Sequence, residues 1–165
     1  PDIKSLGILY SEEFNGHRVR EVEKLLPPIG FEVKSHPLKG RSLEDSLRRI
    51  LDEVDALWVI PDPFLLKDKA QVKLLLRISQ EERKPLITSI PVLVKLGAAL
   101  AIYPNGNTIG QQAAFLVEEL LESHAPTTKT TYPAGSNTIL NLKTIRTLKI
   151  PYNKEALPSI NQVVE

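Results

Sequence analysis

Polar and aromatic side chains directly follow four of the short apolar runs in this sequence. Hydroxyl, amide and carboxylate groups can bind the polar part of a small molecule, and aromatic rings can form its flat apolar walls. In α/β proteins, ligands bind beyond the carboxyl ends of parallel strands, where the following loops converge. We therefore predict a site for a small polar or amphipathic molecule at that edge of a sheet. The candidates are Tyr10, Ser11, Glu12 and Asn15 after the first strand, Asp62 and Phe64 after the third, Thr88 and Ser89 after the fourth, and Tyr103, Asn105 and Asn107 after the fifth.

Short apolar runs alternate with longer segments of helical period along most of the chain. The predicted strands cover residues 6–10, 31–34, 56–60, 85–88 and 98–102. Several of these runs are apolar on both faces, which is typical of buried parallel strands. The alternation predicts a doubly wound, flavodoxin-like α/β fold, a three-layer sandwich whose middle layer is a five-stranded parallel sheet.

Four long helices are predicted from apolar residues that recur three and four positions apart. The first follows Asn15, which is a good N-cap, and the second is opened by Ser42 with Asp45 three residues later. The third covers residues 65–82 and the fourth covers residues 109–121.

The character of the sequence changes after residue 124. A polar, extended segment over residues 127–132 precedes a short helix predicted over residues 141–148, which ends before Pro151. We therefore predict an α/β lobe over residues 1–124 and a C-terminal arm over residues 125–165 that packs on this lobe or on a partner lobe.

Charge and composition exclude several classes of function. The 165 residues carry 21 basic and 20 acidic side chains, a net charge of +1, so there is no strong field to attract a nucleic acid. The absence of cysteine excludes disulfides, thiolate catalysis and cysteine-bound metals. The histidines, His17, His36 and His124, belong to different elements, so we predict no metal site and no cofactor.

Motifs of common enzymes are missing. The sequence has no phosphate-binding loop, no dinucleotide-binding glycine pattern after its first strand and no nucleophile elbow. We therefore predict no catalytic residue and no enzyme activity.

A receiver-like signalling domain is the alternative that shares this sheet. Its acids, phospho-acceptor and hydroxyl have rough counterparts in Glu12, Asp62 and Thr88. The lysine expected after the fifth strand is missing, since Lys95 lies before that strand. Without this cation the phosphoryl charge on Asp62 has no partner.

An ordered series of segments resembles the second lobe of ABC transporter substrate-binding proteins. The series covers nearly the whole chain and resembles the uncharacterised periplasmic type, some members of which bind aromatic amino acids such as tryptophan or tyrosine. The segments are residues 3–10, 54–62, 85–89, 94–101, 110–114 and 141–144, the last lying shortly before Ile150 and Pro151.

The resemblance implies one lobe of a type I periplasmic-binding-protein fold. Such a protein captures a solute between two lobes and delivers it to an ABC permease in the membrane. It also implies that a further, N-terminal lobe is missing here and that the protein is periplasmic or extracytoplasmic. The residues that it places at the cleft, and that we predict to bind the ligand, are Tyr10, Ser11, Asn15, Asp62, Ser89 and Tyr103. The sequence departs from the family pattern at Gly16, where a hydroxyl is usual, and at Asn105–Asn107, where an acid is common.

The start of the sequence and its size bear on this interpretation. The chain begins at Pro1 and contains no methionine, so we interpret it as a piece that carries no signal peptide of its own. A single lobe encloses only one side of a solute, so weak binding or none is expected of the isolated lobe. A third hypothesis is a sensory or interaction domain, in which a homodimer mimics two lobes.

Overall fold

A central group of parallel strands, predicted from the apolar runs, organises the protein. The computed structural model describes residues 3–40, 42–123 and 131–165. Within the first group, each strand pairs in parallel with its neighbours. The strands are β1 (Ser5–Tyr10), β2 (Glu32–Pro37), β3 (Ala56–Val59), β4 (Leu86–Thr88) and β5 (Leu100–Pro104).

The sheet has seven strands rather than the five expected. Residues of the C-terminal arm form β6 (Ser136–Asn141), antiparallel to β5, and β7 (Gln162–Val164), parallel to β6. The order across the sheet is β2-β1-β3-β4-β5-β6-β7. The arm thus continues the sheet of the lobe. The predicted boundary at residue 124 and most of the extended segment 127–132 lie outside the described residues.

Six α-helices connect or follow the strands in the described part of the chain. The third begins at Lys69 instead of residue 65, because Asp68 caps it by accepting a hydrogen bond from the Gln71 N–H. The helices are α1 (Glu12–Leu25), α2 (Leu43–Glu53), α3 (Lys69–Glu81), α4 (Pro91–Lys95), α5 (Gly106–Ser123) and α6 (Leu142–Thr147). No helix in the described ranges is both long and apolar enough to cross a bilayer.

The main core lies between the sheet and the helices α2, α3 and α4. Alternate residues of a strand point to opposite faces, so Leu9 joins this core, while Ile8 and Tyr10 pack against Val19 of α1 on the other face. The main core is built from leucine, isoleucine, valine and alanine side chains, among them Leu47, Ile50, Leu51, Leu57, Leu75, Ile78 and Val94.

Gly7 allows α2 and the residue after it to pack closely on β1. A Cβ atom at this position would lie 2.9 Å from Val54 Cγ2 and 3.0 Å from Ile50 Cγ1. These distances are shorter than real carbon–carbon contacts, so any side chain here would push α2 away from the sheet.

Ion pairs join α2 to the end of α3. The Arg48 guanidinium donates to Glu44 and Glu81 at 2.9 Å each and to Glu82 at 2.6 Å. These three carboxylates raise the pKa of Arg48. The two helices are therefore linked by one cation as well as by their shared core.

Two apolar surfaces have no cover in the described structure. On the sheet face that carries α1, Trp58, Ile87 and Leu100 lie side by side in register and line an open groove of about 460 Å³. The second surface is on α5, where Phe115 and Leu121 are each 70% exposed. Uncovered apolar area of this kind is typical of surfaces that contact another protein unit.

Candidate functional site

Asp62 joins the loops that follow β1 and β3 at the carboxyl edge of the sheet. Its side chain is 2% exposed, and its two oxygens accept five hydrogen bonds. Oδ2 accepts from Ser11 N at 2.8 Å, Ser11 Oγ at 2.6 Å and Asn15 Nδ2 at 2.8 Å. Oδ1 accepts from Phe64 N at 2.9 Å and Leu65 N at 3.3 Å. A buried carboxylate with this many donors fixes both loops relative to each other.

α1 begins earlier than the sequence predicts, and the side chains of Ser11 and Asn15 bind Asp62 instead of capping the helix. Asn15 was expected to cap the helix, but α1 begins at Glu12 and Ser11 holds the N-cap position. The Ser11 hydroxyl donates to Asp62 and makes no capping bond. Asn15 lies in the first turn, where its amide bridges Asp62 and the Pro61 carbonyl oxygen, the latter at 3.1 Å.

The environment of Asp62 keeps it ionised. Burial opposes the charged form, but the donors from Ser11, Asn15 and Phe64 outweigh it and lower the pKa of Asp62. Both oxygens are engaged and shielded from solvent, so neither is available to attack a phosphoryl donor. This geometry gives no support to the receiver alternative with Asp62 as phospho-acceptor.

The lowered pKa of Asp62 predicts a loss of stability in acid. The folded-state pKa lies below the reference value of 3.8, so the stabilising contribution is present above that pH and is lost as the pH falls through the folded-state pKa. We expect the difference in unfolding free energy between the wild type and Asp62→Asn to be constant from pH 7 to 5 and to shrink below pH 4, measured by urea denaturation. The pKa of Asp55 is also lowered, by the Lys4 and Ser5 N–H groups. Asp55 is present in both proteins, so its contribution to the pH dependence cancels in the difference between them. An unchanged difference at pH 3 would contradict the assignment.

An exposed aromatic pair lies beside the Asp62 junction. Phe14, in the first turn of α1, and Phe64, two residues after Asp62, have ring centroids 5.9 Å apart at an interplanar angle of 56°. They are 50% and 53% exposed. Large apolar rings left half open to solvent at a sheet edge offer a surface on which a flat ligand can pack.

A groove of about 420 Å³ runs along this edge. Its volume falls within the range of small-molecule sites, roughly 300–1,000 Å³. It combines the Phe64 ring and two leucines with a hydroxyl, two carboxylates and an amide. The lining residues are Ser11, Glu12, Glu13, Leu38, Leu43, Phe64 and Gln71.

The polar groups of the groove differ in whether they already have partners. Glu12 accepts from Arg20 at 2.6 Å, and this hydrogen bond lowers the pKa of Glu12. Glu13 makes no hydrogen bond or ion pair within the described residues. Gln71 Oε1 is a buried side-chain acceptor that has no partner in that same part of the chain.

Three of the six predicted site residues, namely Ser11, Asn15 and Asp62, come together at the Asp62 junction, and Ser11 also lines the groove. The other three lie elsewhere. Tyr10 is buried beneath α1, where burial and then the Glu12 carboxylate raise its pKa. Ser89 lines the apolar groove of Trp58, Ile87 and Leu100 on the sheet face that carries α1. Tyr103 lines a small pocket with residues 133–136.

Sequence reasoning missed Phe14 of the aromatic pair and Gln71 of the groove. Phe14 carries a usable signal, because it is a large aromatic residue in a polar loop-to-helix segment after a predicted strand. Gln71 carries none, since a glutamine near the start of a helix is ordinary. No group of His, Asp or Glu side chains suited to a metal ion occurs in the described ranges.

Known proteins resemble this chain in sequence pattern and in fold. A family model described as ABC transporter substrate binding protein matches residues 1–164. No curated protein matches the sequence.

Solved structures with a similar fold include proteins from three bacteria. The ABC domain from Streptococcus pneumoniae in complex with L-Trp superposes with a TM-score of 0.71 at 19% identity, over 98% of this chain and 55% of that one. A conserved domain protein from Vibrio cholerae gives 0.70 at 19% identity, over 99% and 55%. A substrate-binding protein with adhesive properties from Clostridium difficile, in its ligand-free, open structure, gives 0.72 at 16% identity, over 99% and 55%. The chain thus has the fold of type I periplasmic binding proteins and spans about half the length of these structures.

Proposed function

The chain belongs to the ABC transporter substrate-binding protein family, and from this we propose that it is one lobe of a solute-binding component that captures a small molecule at the groove beside Asp62. The solute is held between this lobe and a second, N-terminal lobe. The closed protein then delivers it to an ABC permease. In this proposal the protein is extracytoplasmic, as is typical of the family, and performs no catalysis.

The observation that carries the proposal is the half-exposed pair of Phe14 and Phe64. The pair stands at the carboxyl edge of the sheet, where α/β proteins bind ligands. The hydrogen bonds of Asp62 hold the backbone of both segments that carry the rings. The backbone that carries the rings is therefore in place before a ligand arrives, which reduces the entropy lost on binding.

The proposed solute has a flat apolar ring, as an aromatic amino acid has. Such a ring can stack on Phe64, while the polar end of the molecule meets Ser11 and the carboxylates of the groove. The bound L-Trp of the Streptococcus pneumoniae protein is consistent with this class. The groove is open on one side, so a single lobe is expected to bind weakly, at about millimolar Kd.

The uncovered apolar side of α5 supports a partner unit. An 18-residue helix with Phe115 and Leu121 largely exposed has not buried its apolar residues against this lobe. A second lobe that packs on α5 would cover them. A second copy of the chain, as in a homodimer that mimics two lobes, is the alternative occupant.

The aromatic pair provides a test. We expect Phe64→Ala to weaken binding of L-tryptophan about tenfold, because it removes the ring on which the ligand packs. Binding is measured by NMR titration of the ¹⁵N-labelled chain, where shifts are expected at residues 11–15 and 62–71. Phe115→Ala is the matched control, since Phe115 is also an exposed phenylalanine but lies on α5.

Two results would contradict the proposal. One is equal loss of affinity in Phe64→Ala and Phe115→Ala, which would indicate nonspecific contact. The other is an absence of shifts at the groove with every aromatic amino acid at concentrations up to tens of millimolar.

A further inference from the structure

Gln71 places an acceptor without a partner at the proposed solute groove. Its backbone N–H donates to Asp68 Oδ1 at 2.9 Å in the first turn of α3, which sets the position from which the side chain enters the groove. The side-chain Oε1 is shielded from solvent and accepts no hydrogen bond within the described residues.

A buried oxygen without a hydrogen-bond donor lowers the stability of the folded protein, unless another molecule supplies that donor. A buried carbonyl oxygen loses its water on folding and gains nothing in return. Buried groups of this kind are uncommon in native proteins and need a specific explanation. The last torsion of a glutamine is soft, so the amide can turn its oxygen towards a ligand at little cost.

The charged side chains around the groove favour a cationic ligand. Among the described residues that line it, none is basic, and the charged ones are Glu12 and Glu13. Arg20 is hydrogen-bonded to Glu12, and Lys39 also acts on Glu12 electrostatically. Glu13 has no such partner in the described part of the chain, so its negative charge is available.

From these observations we infer that Gln71 Oε1 and the Glu13 carboxylate bind the ammonium group of the solute, next to the ring that packs on Phe64. An ammonium supplies three donors and a positive charge, which satisfy the free acceptor and the unpaired carboxylate together. The inference rests on the proposed function and narrows its ligand to aromatic molecules that carry a primary ammonium.

The test compares two ligands that differ only in the ammonium group. L-tryptophan carries it, whereas indole-3-propionate has the same ring and carboxylate without it. We expect the wild type to bind L-tryptophan at least tenfold more tightly. Gln71→Leu should weaken L-tryptophan about tenfold and leave indole-3-propionate unchanged, because only the first ligand donates to Oε1.

Matched variants separate a binding role from a structural one. Gln80→Leu changes the same residue type at the other end of α3 and should alter neither affinity. Gln71→Glu keeps the shape and adds a negative charge, so it should bind L-tryptophan at least as tightly as the wild type. The unliganded Gln71→Leu protein should unfold at the same urea concentration as the wild type or at a higher one, since a buried unpaired acceptor has been removed.

The outcomes distinguish this inference from the proposed function. If L-tryptophan binding depends on Phe64 but is unchanged in Gln71→Leu, the ammonium assignment is wrong and the proposed function stands. If Gln71→Leu weakens both ligands equally, the residue shapes the groove without contacting the ammonium, and the assignment is also wrong. If the wild type binds neither ligand, the ammonium assignment is wrong, and if it also binds no other aromatic amino acid, the proposed function fails as well.

Discussion

Replacing Asp62 by alanine should lower the free energy of unfolding by about 3–4 kcal/mol, because it leaves donors from Ser11, Asn15, Phe64 and Leu65 without their acceptor. The site is almost fully buried, so water can replace the lost carboxylate only after local rearrangement. The measurement is urea denaturation at pH 7. Solute binding should fall as well, because the same hydrogen bonds hold the segments that carry Phe14 and Phe64.

A second aspartate provides the control for this variant. Asp55 accepts from Lys4 N, Ser5 N and Ser5 Oγ, but it is only partly buried and lies at the opposite edge of the sheet. We expect Asp55→Ala to cost about 1–2 kcal/mol and to leave solute affinity unchanged. A cost for Asp62→Ala no greater than that of Asp55→Ala would show that the junction is not the main support of the site.

Replacing Asn141 by alanine should have the second-largest effect, a loss of about 2–3 kcal/mol in unfolding free energy. The Asn141 side chain is buried between α4 and the start of α6. It donates to the Val94 carbonyl oxygen at 2.8 Å and accepts from Thr144 N at 2.9 Å. It therefore caps α6 and ties the C-terminal arm to the lobe at once.

Hydrogen exchange can locate this effect in the structure. We expect the amides of β6, Ile139 among them, to lose more protection in Asn141→Ala than those of β1. Asn153→Ala is the control, since Asn153 also caps a helical turn, by accepting from Glu155 N, but is exposed. Its cost should stay below about 1 kcal/mol. An equal loss of unfolding free energy in Asn141→Ala and Asn153→Ala would mean that the hydrogen bond to Val94 contributes nothing to stability.

The parallel strands could be predicted because a strand that is buried on both faces appears in the sequence as a run of consecutive apolar residues. Runs such as Ala56–Val59 are apolar at every position, and the structure confirms all five. β6 is different, since Ser136–Asn141 mixes polar and apolar residues and follows a polar segment. Its partner, β5, precedes it by more than thirty residues, so no local pattern indicates the pairing. The short helix predicted after it is confirmed as α6.

The candidate site was harder to predict because contacts distant in sequence decide it. Ser11 and Asp62 are 51 positions apart, and only their meeting explains why the Ser11 hydroxyl does not cap α1. The prediction that loops after β1 and β3 converge was enough to bring Ser11, Asn15 and Asp62 together. It did not reveal that Tyr10 points into the core, because a strand of six buried residues gives no alternation from which to choose a face.

The Arg48 cluster has a mechanical consequence for the solute capture that we propose. A single guanidinium shared by Glu44, Glu81 and Glu82 clamps α2 to the end of α3, and both helices rest on the same packed core. Sliding one helix past the other would break several of these contacts together, so α2, α3 and their shared core should move as one rigid body. We expect any bending during the proposed capture to occur in the segments where the chain leaves the sheet, and not between these two helices.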